Sequence, residues 1–193
     1  ESDGLEIVAF GSISSGKSSL LNTLCGAEPF ATDAGGGTTI RRGEVPWPGL
    51  ENVVLVDTPG LGEIDGEEHV QLAAEAARDA DIVLLVVDGP LRESEFALVR
   101  RLDEMEKRLL VCLNKVDWYD ESDKTTLLGQ IRKQLASFVD SRDVLSVQAS
   151  PVARQRVRVL PSGDTIHEDV NVPADISPLA SRMLAIAGSE GRE

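Results

Sequence analysis

Short apolar runs, each closed by a turn rich in Gly, Ser, Asp or Asn, alternate along this chain with stretches of helical spacing. Residues 5–10 form such a run and stop at Gly11. A Gly/Ser loop follows, and then residues 17–25 carry apolar positions at helical intervals. Residues 53–56 read as a buried strand halted by Asp57-Thr58-Pro59-Gly60, and the helix after them places Val70, Leu72, Ala73, Ala76 and Ala77 on its apolar face. Residues 82–87 are again a strand, Phe96, Leu98, Val99 and Leu102 mark a helix, and residues 108–113 run as a strand straight into Asn114. Residues 127–139 are helical by period, and residues 144–147 make a last short strand ending at Gln148-Ala149-Ser150. Residues 31–39, rich in Gly and Thr and without a period, read as a mobile loop leading to a strand near residues 40–45.

Strand and helix in alternation predict an α/β fold. Its central sheet is mostly parallel, right-handed crossovers place helices on both faces, and ligands bind at the carboxyl ends of the strands. After Ser150 the pattern changes: Arg154, Arg156 and Arg158 alternate with Val157 and Val159, and Pro161-Ser162-Gly163-Asp164 makes a turn. This predicts a β-hairpin insertion at about residues 151–172, before a final helix at 176–187. A length of 193 residues suits one domain, taken here as residues 1–193.

Composition narrows the partners. Only 4% of residues are aromatic, so the core must be built from Val, Leu, Ile and Ala, as helices on a parallel sheet require. A net charge of −14 repels phosphate backbones and anionic lipid, which argues against direct nucleic-acid binding. Cys25 and Cys112 sit in apolar stretches without metal-ligand spacing and read as reduced thiols of a cytoplasmic protein. The run at residues 82–87 is far shorter than the roughly 20 residues of a membrane span, so any membrane association is expected through segments outside this chain. The chain opens at Glu1 with no initiating Met, which is expected where the ends were cut or neighbouring domains removed.

Gly11-Ser12-Ile13-Ser14-Ser15-Gly16-Lys17-Ser18 matches the spacing G-x-x-x-x-G-K-[ST] between a strand and a helix. Backbone N–H groups of such a loop curl around phosphates, so Ser14, Ser15, Gly16, Lys17, Ser18 and Ser19 are the expected phosphate contacts. Lys17 reaches the β- and γ-phosphates, and the Ser18 hydroxyl ligates Mg²⁺. Asp57 ends the next buried strand, where its carboxylate joins the Mg²⁺ shell, and Gly60 offers an amide near the γ-phosphate. Asn114-Lys115-Val116-Asp117 supplies a carboxylate that accepts from guanine N1–H and the 2-amino group, where adenine has no donor. Lys115 lays its aliphatic stem along the base, and Asn114 ties this loop to the phosphate loop.

With these segments in place the chain resembles a translation-factor-type P-loop GTPase domain, of the Era and dynamin kind, over nearly its whole length. The resemblance implies a three-layer P-loop NTPase fold, binding of GTP or GDP with Mg²⁺, and hydrolysis of GTP as a molecular switch. It also implies a Thr that completes the Mg²⁺ shell only with GTP, here Thr39 with Thr38 as the alternative. The last family motif maps to Gln148-Ala149-Ser150, with the Ala149 amide on the guanine oxygen and Ser150 beside it. A narrower resemblance is to bacterial GTPases that carry a C-terminal membrane-associated domain of unknown function. It rests on Leu91-Arg92-Glu93-Ser94-Glu95, residues 111–117 with Trp118-Tyr119, Gln148-Ala149-Ser150-Pro151 and the Arg/Val insertion. In that reading the full-length protein can sit at the cytoplasmic face of a membrane.

Where Ras-like proteins carry a water-orienting Gln, this chain has Leu61. The phosphate loop is similar to that of dynamins, where a Ser at the position of Ser14 helps bind a monovalent cation, but Ile13 replaces the dynamin Gln. The resemblance implies slow intrinsic hydrolysis at a centre of Lys17, Thr39 and Ser14, stimulated, as in the dynamin group, by a homodimer across the nucleotide face and by K⁺. Two other readings are open: an assembly or membrane-association module controlled by GTP with incidental turnover, and an ATP-dependent kinase or ATPase, which would leave Asn114, Lys115 and Asp117 without a purpose.

Overall fold

The computed structural model describes residues 5–27, 30, 43–48, 50, 53–58 and 67–190. In chain order the elements are β1 (Leu5–Gly11), α1 (Lys17–Cys25), β2 (Gly43–Pro46), β3 (Val53–Asp57), α2 (Glu67–Ala76), β4 (Ile82–Val87) and α3 (Glu93–Glu104). They continue with β5 (Arg108–Leu113), α4 (Glu121–Leu135), β6 (Val144–Ser146), β7 (Val152–Val159), β8 (Thr165–Val172) and α5 (Ser177–Glu190).

Six strands form one sheet in the order β2-β3-β1-β4-β5-β6. All neighbours run parallel except the edge pair β2–β3, which is antiparallel with Gly43 opposite Asp57. Successive residues of a strand face opposite sides, and β1 shows what this does to the core. Val8 and Phe10 join the apolar cluster under α2, α3 and α4, with Ala77, Leu98 and Ile131. Ile7 and Ala9 join the cluster under α1 and α5, with Leu21, Leu24 and Met183. The molecule is thus three layers deep, as the alternation predicts. Trp47 is buried where β2 ends, and its indole N–H donates to the Leu24 carbonyl at 3.1 Å, pinning the edge strand to α1.

Two helices depart from the sequence reading at their ends. α4 spans Glu121–Leu135 rather than 127–139 because Asp120 caps it, its carboxylate accepting from the Asp123 N–H at 2.7 Å. The first turns are polar, so they carry no apolar period. α5 runs on to Glu190. The expected hairpin is present as a separate two-stranded ribbon, β7–β8, whose feet are tied by reciprocal backbone bonds of 2.8 Å between Gln148 and Asp175. Cys25 and Cys112 are both buried, which pushes both thiols above their ordinary value of 9.0. Among the described residues, no helix is long and apolar enough to cross a membrane.

Candidate functional site

Strand order reverses at β1, since β3 lies on one side of it and β4 on the other. A crevice opens beyond the carboxyl ends of the strands at such a point, and the loop after β1 lies there. Its tight path depends on two glycines. A Cβ on Gly11 would stand 2.5 Å from the Ser15 hydroxyl and 2.6 Å from the Val86 carbonyl. Gly16 has φ +88°, and a Cβ there would run into the side-chain amide of Asn114. Ser14 holds a left-handed conformation, φ 62°, without being glycine, a strain of the kind found at binding loops. Gly16→Ala is expected to lower the melting temperature by about 2–8 °C, from a left-handed cost of roughly 1–2 kcal/mol. It should also sever the Asn114 contact described below. Thermal melts with a GDP titration check both effects.

α1 starts directly after this loop, so Lys17 and Ser18 occupy its first turn, facing the end of β3. The Lys17 ammonium contacts Asp57 Oδ1 and the Thr58 carbonyl, with the Lys17 and Asp57 side chains 7% and 1% exposed. The Ser18 hydroxyl donates to Asp57 Oδ2 at 2.8 Å. Thr58 is anchored in turn by its hydroxyl, which donates to the Ala9 carbonyl of β1 at 2.5 Å. A hydroxyl and a carboxylate side by side are the hard oxygen donors that Mg²⁺ takes. The buried Ser15 hydroxyl has no hydrogen-bond partner among the described residues. These residues therefore fit a phosphate carrying Mg²⁺.

At the end of β5, Asn114 joins three loops. Its amide donates to the Ser15 carbonyl at 2.9 Å, and its carbonyl oxygen accepts from the Ala149 N–H at 2.9 Å. The Ala149 amide, which the family resemblance assigns to the guanine oxygen, is engaged here by Asn114. The Ala149 carbonyl accepts from Thr23 of α1 at 2.6 Å, and the Thr23 hydroxyl also reaches the Ser19 carbonyl at 3.0 Å. Lys115, left-handed at φ 56°, contacts the Ser14 carbonyl, lies 3.4 Å from Asp88 Oδ2, and passes 4.5 Å from the Trp118 ring centre. Asp117 sits in a short 3₁₀ turn, and its N–H donates to Gln148 Oε1 at 3.1 Å. Gln148 in turn donates to the Ser150 carbonyl at 2.8 Å.

Thr38, Thr39, Gly60 and Leu61 lie outside the described residues. The structure gives a place in the site to three residues to which sequence reasoning gave no role there. Gln148 holds the Asp117 backbone, Arg154 of β7 lies 3.6 Å from Asp117 Oδ2, and Glu95 of α3 is buried against Ser12 of the phosphate loop. Glu95 stood in a segment noted only for its resemblance. Its place at the start of an apolar helical period was the available signal.

Burial raises the Glu95 pKa above the ordinary 4.5, against the downward pull of the Arg92 N–H, which donates to it at 2.8 Å, the Arg92 charge and the Ser12 hydroxyl. A raised acid pKa means that the folded state holds the proton more tightly. Stability from this group is then present below pH 4.5 and is lost as pH rises through the folded value. Glu95→Gln should flatten that part of the profile, so melting curves taken across this range for both proteins should converge at low pH and part above it.

A family model described as "50S ribosome-binding GTPase" matches residues 6–115. The tRNA modification GTPase MnmE of Paramagnetospirillum magneticum is 33% identical over 180 residues, covering 81% of this chain and 39% of that protein. Among solved structures, Era of Aquifex aeolicus bound to GDP and aluminium fluoride aligns with TM-score 0.62 at 24% identity, over 75% of this chain and 50% of the other. Era in complex with Mg-GDPNP and a 16S ribosomal RNA segment aligns with TM-score 0.63 at 23% identity, over 77% and 52%. At these identities the structural likeness speaks to the fold, and the chain spans well under two thirds of each of these relatives. The family model covers more than half of the chain and takes in the phosphate loop, Asp57 and the start of the Asn114 segment, so the chain belongs to the ribosome-binding GTPase family of P-loop GTPases.

Proposed function

We propose that this domain binds GTP and GDP and hydrolyses GTP as a switch, with the residue roles that the motifs assign. The observation that carries the reading is Asn114, whose one side chain joins the phosphate loop at Ser15 to the base loop at Ala149, with Asp117 three residues on. Phosphates and guanine are then read by one connected unit. Lys17 would meet the phosphate charge, and Ser18 and Asp57, with Thr39 once GTP is bound, would hold Mg²⁺. That ion would supply neutralisation of the phosphate charge.

The finer parts of the proposal rest on particular residues. Ser14 is the monovalent-cation contact, and the strained Ser14 together with the contact of Lys115 to its carbonyl supports a loop that a K⁺ ion and a second protomer across the nucleotide face would set in order. We take residues 1–193 as one GTPase domain with the insertion at 151–172. In this proposal it is the N-terminal half of a cytoplasmic GTPase whose membrane-associated domain lies elsewhere in the full-length protein.

The test is phosphate release from GTP at rising protein concentration, in K⁺ and in Na⁺, for wild type and Ser14→Ala. Specific activity should climb with concentration and K⁺ in wild type alone. A slow, flat rate in every condition removes the dimer and the cation from the mechanism. Absence of both turnover and GDP binding removes the GTPase reading itself.

A further inference from the structure

We propose that Arg154 and the guanine base compete for Asp117, so that the β7–β8 ribbon sets the affinity of the site for guanine nucleotides. This rests on the reading of Asp117 as the base-reading carboxylate. Guanine presents two donors on one edge, N1–H and the 2-amino group, and both carboxylate oxygens are needed to accept them. One of those oxygens, Oδ2, already lies 3.6 Å from the Arg154 guanidinium.

The surroundings show why Arg154 takes this position. Its cross-strand neighbour on β8 is the apolar Val170, whereas Arg156 on the same face stands opposite Glu168. Lys115, the nearest cation in sequence to Asp117, is directed toward Asp88 and the Ser14 carbonyl instead. The ribbon is also rooted in the base loop, because β7 begins two residues after Ser150 and its feet close on the Gln148–Asp175 bridge. A shift of the ribbon therefore moves Arg154 relative to Asp117.

The alternative role, with Arg154 orienting the carboxylate for guanine, fits the geometry less well. A separation of 3.6 Å is an ion-pair distance beyond hydrogen-bond range, and the Arg154 side chain is 44% exposed against 7% for Asp117. Orientation already comes from the 3₁₀ turn and from Gln148 on the Asp117 N–H. What Arg154 adds is positive charge, which makes the carboxylate a weaker acceptor for a neutral base. Ribbon position and base occupancy are then linked, each biasing the other by the same free energy.

Arg154→Gln should tighten GDP binding by about two- to fivefold, the size expected of a half-exposed ion pair. The gap should narrow as salt screens the pair. The experiment is titration of ribose-labelled GDP into wild type and Arg154→Gln at low and high salt. It is repeated with xanthosine diphosphate in the Asp117→Asn background, where no carboxylate remains. Tighter GDP binding that closes with salt and vanishes once the carboxylate is replaced supports competition. Equal or weaker GDP binding in Arg154→Gln overturns it, as does an effect that persists without the carboxylate. If wild type binds no GDP, the guanine reading falls and the proposal with it, whereas normal GDP binding indifferent to Arg154 overturns the competition alone.

Discussion

Lys17→Ala is expected to melt well below wild type before any nucleotide is added, and to lose turnover by about 10²–10³-fold or more. Both effects trace to one contact. The Lys17 ammonium lies against Asp57, with the two side chains 7% and 1% exposed. Removing one partner of such a pair leaves the other charge buried and uncompensated, at a cost of roughly 3–5 kcal/mol. After truncation the Ser18 hydroxyl still donates to Asp57 Oδ2, but it carries no charge. The two losses should separate in the double variant Lys17→Ala/Asp57→Asn: the melting temperature recovers because the stranded charge is gone, and turnover does not. A Lys17→Ala protein that melts with wild type would mean that the pair contributes nothing to the fold.

The second large effect is expected at the base. Asp117→Asn should weaken GDP binding by on the order of 10²–10⁴-fold, the loss of two hydrogen bonds to a charged acceptor at roughly 1.5–3 kcal/mol each. An asparagine amide turns a donor toward a guanine donor. Xanthine carries an oxygen at that place and should gain. The backbone is held in either protein, because the bond from the residue 117 N–H to Gln148 Oε1 does not involve the side chain that changes. Competition of GDP against xanthosine diphosphate for a labelled nucleotide measures the exchange of preference. Retention of GDP within about threefold would assign Asp117 to its ion pair with Arg154 and not to the base.

Much of this arrangement is legible in the sequence where two kinds of signal coincide. Residues 108–113 are apolar almost throughout because β5 is covered on both faces, and a fixed spacing of polar residues begins at the next position, so strand and site locate each other. The β7–β8 ribbon is legible from alternation and a turn alone. The start of α4 is not, since a side-chain cap at Asp120 stabilises a turn that has no apolar face. Arg154 and Asp117 are separated along the chain by a strand crossover, and an arginine on an alternating strand gives no sign of what it faces. Glu95 is legible as a helix-start residue, but its burial depends on how closely α3 approaches the phosphate loop.

The ribbon also bears on how the protein behaves at high concentration. β7 and β8 pair only with each other among the described residues, and Val157, Val159 and Ile166 are exposed on them. Long exposed edges of this kind invite strands from other molecules and seed aggregates. The arginines work against that outcome. If a second copy laid its β7 antiparallel against this one, centred on Arg156, Arg154 would meet Arg158 and Arg156 would meet its own counterpart, like charges directly opposed across the new ladder. The stripe that reaches Asp117 at its root would thus keep the ribbon from polymerising along its length.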